Sequence, residues 1–212
     1  MPAMHKTYFL HGLGQNSDIW KRVTAHLVFQ TDVVCPDLFS VRKNELISYE
    51  QVYQEFAREV SLSGEKINLC GLSLGAVLAL QYGIEYPEKV NAAVLIAAQY
   101  KMPRGLLSLQ NMVFRLMPES SFRDTRLSKH NMIHLTGSMK HLDFSRNLSR
   151  IDFPVLLLCG ENDRTNRKAT LELADRIPHA EAKFITGAGH EVNKDTPDVL
   201  AQILSDFFSA TE

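Results

Sequence analysis

Cysteine is scarce in this chain of 212 residues, with only 3 present. An odd number cannot close into intrachain pairs. Cys35, Cys70 and Cys159 each lie in or at the end of an apolar run, and they read as buried free thiols of a reducing compartment, the cytoplasm. Long hydrophobic runs are missing as well. None approaches the roughly 18 residues that a membrane span needs. No charged start followed by an apolar stretch and a cleavage site opens the chain, so no secretory signal is expected. An excess of either charge is also lacking, since Lys and Arg number 23 and Asp and Glu 24, a formal net charge of -1. That balance gives no reason to expect nucleic acid or an anionic membrane as the main partner. Internal repeats, low-complexity tracts and Pro/Gly/Ser-rich linkers are absent.

What remains is ordinary globular composition, 45% hydrophobic and 22% charged, in a length that suits one domain over residues 1–212. Short apolar, β-branched runs at 7–10, 32–35, 66–70, 92–98, 155–159 and 182–185 read as six strands. Several lack polar alternation, which suits strands covered on both faces of a parallel sheet. Helical patterns lie between them. The first, at 49–62, carries Val52, Phe56 and Val60 four apart on one face. Others follow at 74–86, stopping before Pro87, at 167–177, closed by Pro178, and at 195–208, with Val199, Ile203 and Phe207 on one stripe. Alternation of this kind predicts an open parallel sheet between two helical layers, with ligands bound beyond the carboxyl ends of the strands.

Residues 101–150 break the alternation. They show no convincing strand and hold Met102, Met112, Met117, Met132 and Met139. The stretch reads as a short helical lid over the strand ends or as surface helices closing the core.

The chemistry-bearing residues follow the strands. Gly71-Leu72-Ser73-Leu74-Gly75 comes after the third strand and before a helix, the context of a nucleophile elbow. Small residues two before and two after the serine allow the tight turn that exposes its hydroxyl. The plain alternative is an ordinary strand-helix turn. A serine hydroxyl needs a base, and His190, in Gly187-Ala188-Gly189-His190 after the sixth strand, is the candidate. The imidazole needs an acid to orient it. Asp163, in Cys159-Gly160-Glu161-Asn162-Asp163 after the fifth strand, fits, with Glu161 as a weaker choice. An oxyanion hole needs two backbone N–H groups. Leu13, in His11-Gly12-Leu13-Gly14 after the first strand, and Leu74 are the candidates. His11 reads as a structural residue holding that loop.

Taken together, these motifs resemble the α/β-hydrolase superfamily across nearly the whole chain. Cys35-Pro36-Asp37-Leu38 and Tyr86-Pro87-Glu88-Lys89-Val90 add to the resemblance. It implies a three-layer α/β-hydrolase fold, a Ser73–His190–Asp163 triad, and a lid inserted before the acid-bearing strand. Family members usually begin with two further strands, so a six-stranded, all-parallel sheet lacking that edge is expected here. Where the family often has a Gly-rich turn after Pro-Asp, this chain has Leu38-Phe39-Ser40-Val41.

The implied reaction is hydrolysis of a small-molecule carboxylic ester through an acyl-enzyme on Ser73, with neither metal nor organic cofactor. Thioester or amide hydrolysis, acyl transfer, a lyase reaction and non-catalytic binding are the alternatives. Nine basic residues against three acidic ones give 101–150 a charge of +6, so the rest of the chain carries −7 within the total of -1. That excess either attracts an anionic substrate or is a solvated helix surface. The methionines either line an adaptable acyl pocket or pack between helices and sheet.

Overall fold

A computed structural model of the chain describes residues 5–39, 46–122 and 125–211. Its strands are β1 (Lys6–Leu10), β2 (Asp32–Val34), β3 (Ile67–Leu72), β4 (Val90–Ile96), β5 (Val155–Gly160) and β6 (Ala180–Ile185). They form one sheet in the order β2-β1-β3-β4-β5-β6, and every neighbouring pair is parallel. The helices are α1 (Lys21–Thr24), α2 (Tyr49–Ser61), α3 (Leu74–Glu85), α4 (Arg104–Leu116), α5 (Lys129–Ser138), α6 (Arg164–Arg176), α7 (Val192–Asp195) and α8 (Pro197–Ser209).

The uniformly apolar strands are explained by cover on both sides. Tyr8, Leu10, Leu69, Leu95 and Leu157 face a core completed by Val52, Phe56 and Val60 of α2, Leu78 of α3 and Leu173 of α6. Their neighbours Phe9, Cys70, Val94, Leu156 and Leu158 face the other layer, with Trp20, Val23 and Leu200, Leu204 and Phe208 of α8. Successive side chains of a strand point to opposite faces, so each of the four central strands β1, β3, β4 and β5 supplies both cores and has little room for polar alternation.

Local chemistry sets several element ends. At α2, the Ser48 hydroxyl accepts from the Gln51 N–H at 3.3 Å and Gln51 Oε1 accepts from the Ser48 N–H at 2.9 Å, a reciprocal cap. Helix α6 starts three residues before the expected 167, because the Asp163 side chain caps it by accepting from the Asn166 N–H at 3.3 Å. The last expected helix is α8, which starts at Pro197 rather than 195, and the short helix α7 precedes it. Its buried face is Leu200, Leu204 and Phe208, one residue on from the expected stripe, and Val199 is 51% exposed. Cys70 and Cys159 are buried free thiols, whereas Cys35 is only half-buried. It follows β2, the edge strand, whose own residues are largely exposed.

Between β4 and β5 the chain forms α4, α5 and short 3₁₀ turns, with no strand among the described residues. Lys129 Nζ at the start of α5 donates to the Arg115 and Met117 carbonyls at 2.8 and 2.6 Å, satisfying the C-terminal end of α4. The Thr136 hydroxyl bonds the Asn111 side chain between the two helices. Phe122, Leu127, Met132, Leu135 and Met139 join the main core. Among the described residues, no helix is long and apolar enough to cross a membrane.

Candidate active site

Because all six strands run in parallel, their carboxyl ends lie along one edge of the sheet. The loops after β1, β3, β4, β5 and β6 meet there around a cavity of about 610 Å³. Ser73, Leu13, Leu74, Asp163 and His190 all line it. Gly12, Gly71 and Gly75 shape the loops, and His11 lies beneath them.

Ser73 occupies the turn from β3 to α3 with φ 53° and ψ −111°. A non-glycine residue there is strained, and such strain is kept only where the surroundings enforce it. The Ser73 N–H donates to the Ile96 carbonyl at 2.8 Å, and its own carbonyl accepts from the Val77 N–H at 3.0 Å. The flanking glycines are dictated by approach distance. A Cβ on Gly71 would run into the Gly75 backbone, and one on Gly75 into the Leu10 carbonyl. The Leu74 N–H opens α3, where first-turn amides have no intrahelical acceptor.

His190 Nδ1 donates to Asp163 Oδ2 at 2.7 Å. Asp163 is 6% exposed, whereas the His190 side chain is 46% exposed. Burial would raise the Asp163 carboxyl, but hydrogen bonds from His190 and Asn166 outweigh it and hold its pKa below the usual carboxylate value. With Nδ1 committed, Nε2 is the ring nitrogen left for proton transfer. No hydrogen bond joins Ser73 to His190 among the described residues.

Asn166, which the motif reading did not single out, completes this group. Its Nδ2 donates to the same Asp163 Oδ2 at 2.7 Å and lies 3.2 Å from His190 Nδ1. Both nitrogens carry protons, so they share one acceptor oxygen and do not bond each other. Gln99 Nε2 donates to Asn166 Oδ1 at 2.8 Å and fixes the orientation of that amide. The helical spacing from Asp163 to Asn166 was the available signal; nothing local pointed to Gln99. Glu161 is exposed and accepts from the Gly187 N–H at 3.2 Å, away from the imidazole.

The loop after β1 is held from two sides. His11 is fully buried. Its Nε2 accepts from the Leu38 N–H at 3.1 Å, so Nδ1 carries the proton given to the Gly12 carbonyl at 2.9 Å. Burial lowers the His11 pKa, partly offset by the Gly12 carbonyl and by Asp37. On the other side, Gln15 Oε1 accepts from the Gly12 N–H at 3.0 Å. Asp37 accepts an ion pair from Arg126 at 3.0 Å, linking the 101–150 stretch to this loop. Leu38 and Phe39 are buried, whereas Ser40 and Val41 lie outside the described residues.

The remaining cavity wall is mostly apolar and includes Val77, Met102, Leu107, Phe114, Met132 and Met139. Met117 also lines it, while Met112 points away and is 54% exposed. Among the described residues, none of the lysines or arginines of 101–150 lines the cavity.

The chain belongs to the alpha/beta hydrolase family, whose model matches residues 8–203. It is 25% identical over 186 residues to a protein of Bacillus subtilis provisionally named a 2-succinyl-6-hydroxy-2,4-cyclohexadiene-1-carboxylate synthase. That match covers 68% of this chain and 66% of the relative, so the chain spans just under two thirds of that protein's length. It is 23% identical to an Escherichia coli protein provisionally named a carbamate hydrolase, over 92% of this chain and 88% of the relative. In structure it resembles a thermophilic esterase from Thermogutta terrifontis, with a TM-score of 0.79 and 19% identity, covering 98% of this chain and 90% of the other. At that identity the likeness shows the shared fold.

Proposed function

We propose that this protein is a serine hydrolase that cleaves small carboxylic esters with an apolar acyl part, through an acyl-enzyme on Ser73. One observation carries the reading. The strained turn holding Ser73 and the hydrogen-bonded Asp163–His190 pair open into the same largely apolar cavity. Its volume of about 610 Å³ lies in the range of small-molecule sites.

In this mechanism His190 Nε2 takes the Ser73 proton as Oγ attacks the ester carbonyl. Asp163 orients the imidazole and stabilises its cation. The Leu13 and Leu74 amides receive the developing oxyanion. His190 then protonates the departing alcohol, and a water molecule, activated by the same nitrogen, releases the acid. The stretch 101–150 acts as a lid, and its Met102, Met117, Met132 and Met139 form an adaptable wall for the acyl chain. No lysine or arginine among the described residues lines that wall, which favours a neutral acyl group over an anionic one.

Two measurements test the reading. A fluorophosphonate probe should label native protein at Ser73 and leave Ser73→Ala unlabelled. A panel of oxygen esters, thioesters, amides and carbamates, with the esters graded by acyl length, should show highest kcat/KM for oxygen esters with an apolar acyl chain. Absence of labelling in folded protein would overturn the serine mechanism. Preference for a thioester, amide or carbamate would overturn the ester assignment while leaving the nucleophile in place.

A further inference from the structure

Helix α4 is apolar on two sides. Its inner side, with Leu107, Gln110 and Phe114, forms part of the cavity wall. Its outer side carries Leu106, Leu109, Val113 and Leu116 at helical spacings of three and four, with exposures of 46%, 53%, 46% and 81%. Met112, 54% exposed, lies beside them. A water-facing helix face is normally polar, and a contiguous exposed apolar stripe marks an interaction surface. Arg104 and Arg115 are both exposed and lie together on the helical wheel, about 100° around the helix from Leu116, the nearest of the four, with Met112 between. Neither forms an ion pair among the described residues.

Charge separates the possible occupants. The whole chain is nearly neutral, but 101–150 carries +6 and the remainder −7. A second copy related by a two-fold axis through this stripe would set one basic segment against another. An anionic lipid surface meets both features at once. Its acyl region receives the apolar side chains, while its phosphates attract the basic segment that carries them.

We propose that the outer face of α4 docks this protein on an anionic lipid surface, with the α4 wall of the cavity held against the bilayer. Leu106 both lines the cavity and is half exposed at the stripe, so the docking face and the cavity share a side chain. The docking is independent of which bond Ser73 attacks.

Flotation of the full chain with vesicles tests this. One set is phosphatidylcholine alone and the other is phosphatidylcholine mixed with phosphatidylglycerol. The protein should float with the phosphatidylglycerol vesicles at low salt, dissociate as salt is raised, and bind the neutral vesicles weakly. The double variant Leu109→Glu/Leu116→Glu should lose binding by roughly tenfold or more and still hydrolyse a soluble short-chain ester as the native protein does, since neither residue lines the cavity. Arg104→Glu/Arg115→Glu should weaken binding to phosphatidylglycerol vesicles alone. Circular dichroism melts of both variants confirm folding. Failure of the native protein to float with phosphatidylglycerol vesicles would overturn the proposal. So would binding that ignores Leu109→Glu/Leu116→Glu, or a concentration-dependent dimer that this variant abolishes, which would assign the stripe to a second copy. Binding retained by a protein that turns over no ester would overturn the hydrolase reading alone.

Discussion

Gln15 Nε2 donates to Glu191 Oε1 at 2.9 Å, joining the loop after β1 to the residue that follows His190. The same amide nitrogen lies 3.3 Å from Asn193 Oδ1, and Gln15 Oε1 accepts from both the Gly12 N–H and Asn193 Nδ2. Gln15 is 8% exposed and Asn193 1%. A single buried amide therefore ties the proposed oxyanion loop to the proposed base. Gln15→Ala should lower kcat/KM by about 10-fold to 100-fold, mainly in kcat, because small misplacements of reacting groups are costly. It should also cost about 1–3 kcal/mol of stability, since the Gly12 N–H and the Asn193 amide lose a partner in a buried place. Steady-state kinetics and urea melts measure the two effects. A stability loss with unchanged kcat would show that the bridge is only structural.

The proposed nucleophile and its acid partner predict losses of different size. Ser73→Ala should lower kcat by roughly 10⁴- to 10⁶-fold. Asp163→Asn should lower it by about 10⁴-fold, because an amide no longer selects the imidazole tautomer with a proton on Nδ1. Near-native turnover in either variant, after active-site titration to exclude contaminating enzyme, would remove that residue from the mechanism.

The elbow glycines are predicted to matter for folding before they matter for chemistry. A Cβ at position 75 would collide with the Leu10 carbonyl of β1, a backbone atom that cannot swing aside. Gly75→Ala should therefore destabilise the protein by about 3 kcal/mol, at the upper end of overpacking effects, and reduce soluble yield. Gly105→Ala is the matched control, because nothing lies within 4 Å of a Cβ there. Equal melting temperatures for the two variants would contradict the close strand-helix approach.

His11 predicts a pH dependence of stability. Its folded-state pKa is lowered from 6.5, first by burial. Between the folded and unfolded values the unfolded chain binds more protons, so stability rises with pH in that window. The contribution is complete above about 6.5 and is lost as pH falls below it. His11→Gln keeps an acceptor for the Leu38 N–H but does not titrate. Its melting temperature should start lower and fall less steeply through mildly acidic pH than that of the native protein. Parallel slopes would place the titrating group elsewhere.

Much of the fold was legible because its causes are local. Non-alternating runs such as Val155-Leu156-Leu157-Leu158 follow from burial on both faces. Helix α2 follows from Val52, Phe56 and Val60, four apart on one face. Gly71 and Gly75 bracket Ser73 because that turn admits no side chain beside it. The face of α8 was misjudged by one residue, since Val199 and Leu200 are both apolar and only packing against Phe29 and the sheet selects between them. Residues after four different strands could be nominated individually, because a parallel sheet collects the carboxyl ends of its strands at one edge.

Tertiary structure alone decided which polar groups meet. Gln15 and Asn193 are separated by 178 positions and Gln99 and Asn166 by 67, and no local pattern encodes such pairs. Each depends on where β1, β4 and the loops after β5 and β6 converge, and a buried amide is stable there only once all its partners have arrived. The direction of α4 was decided in the same way. Its sequence is apolar with an arginine near each end, but only the packed chain assigns Phe114 to the cavity and Leu109 and Leu116 to water. Hydrophobic periodicity is a property of neighbours along the helix. Which apolar residues find cover depends on how much surface the rest of the molecule offers.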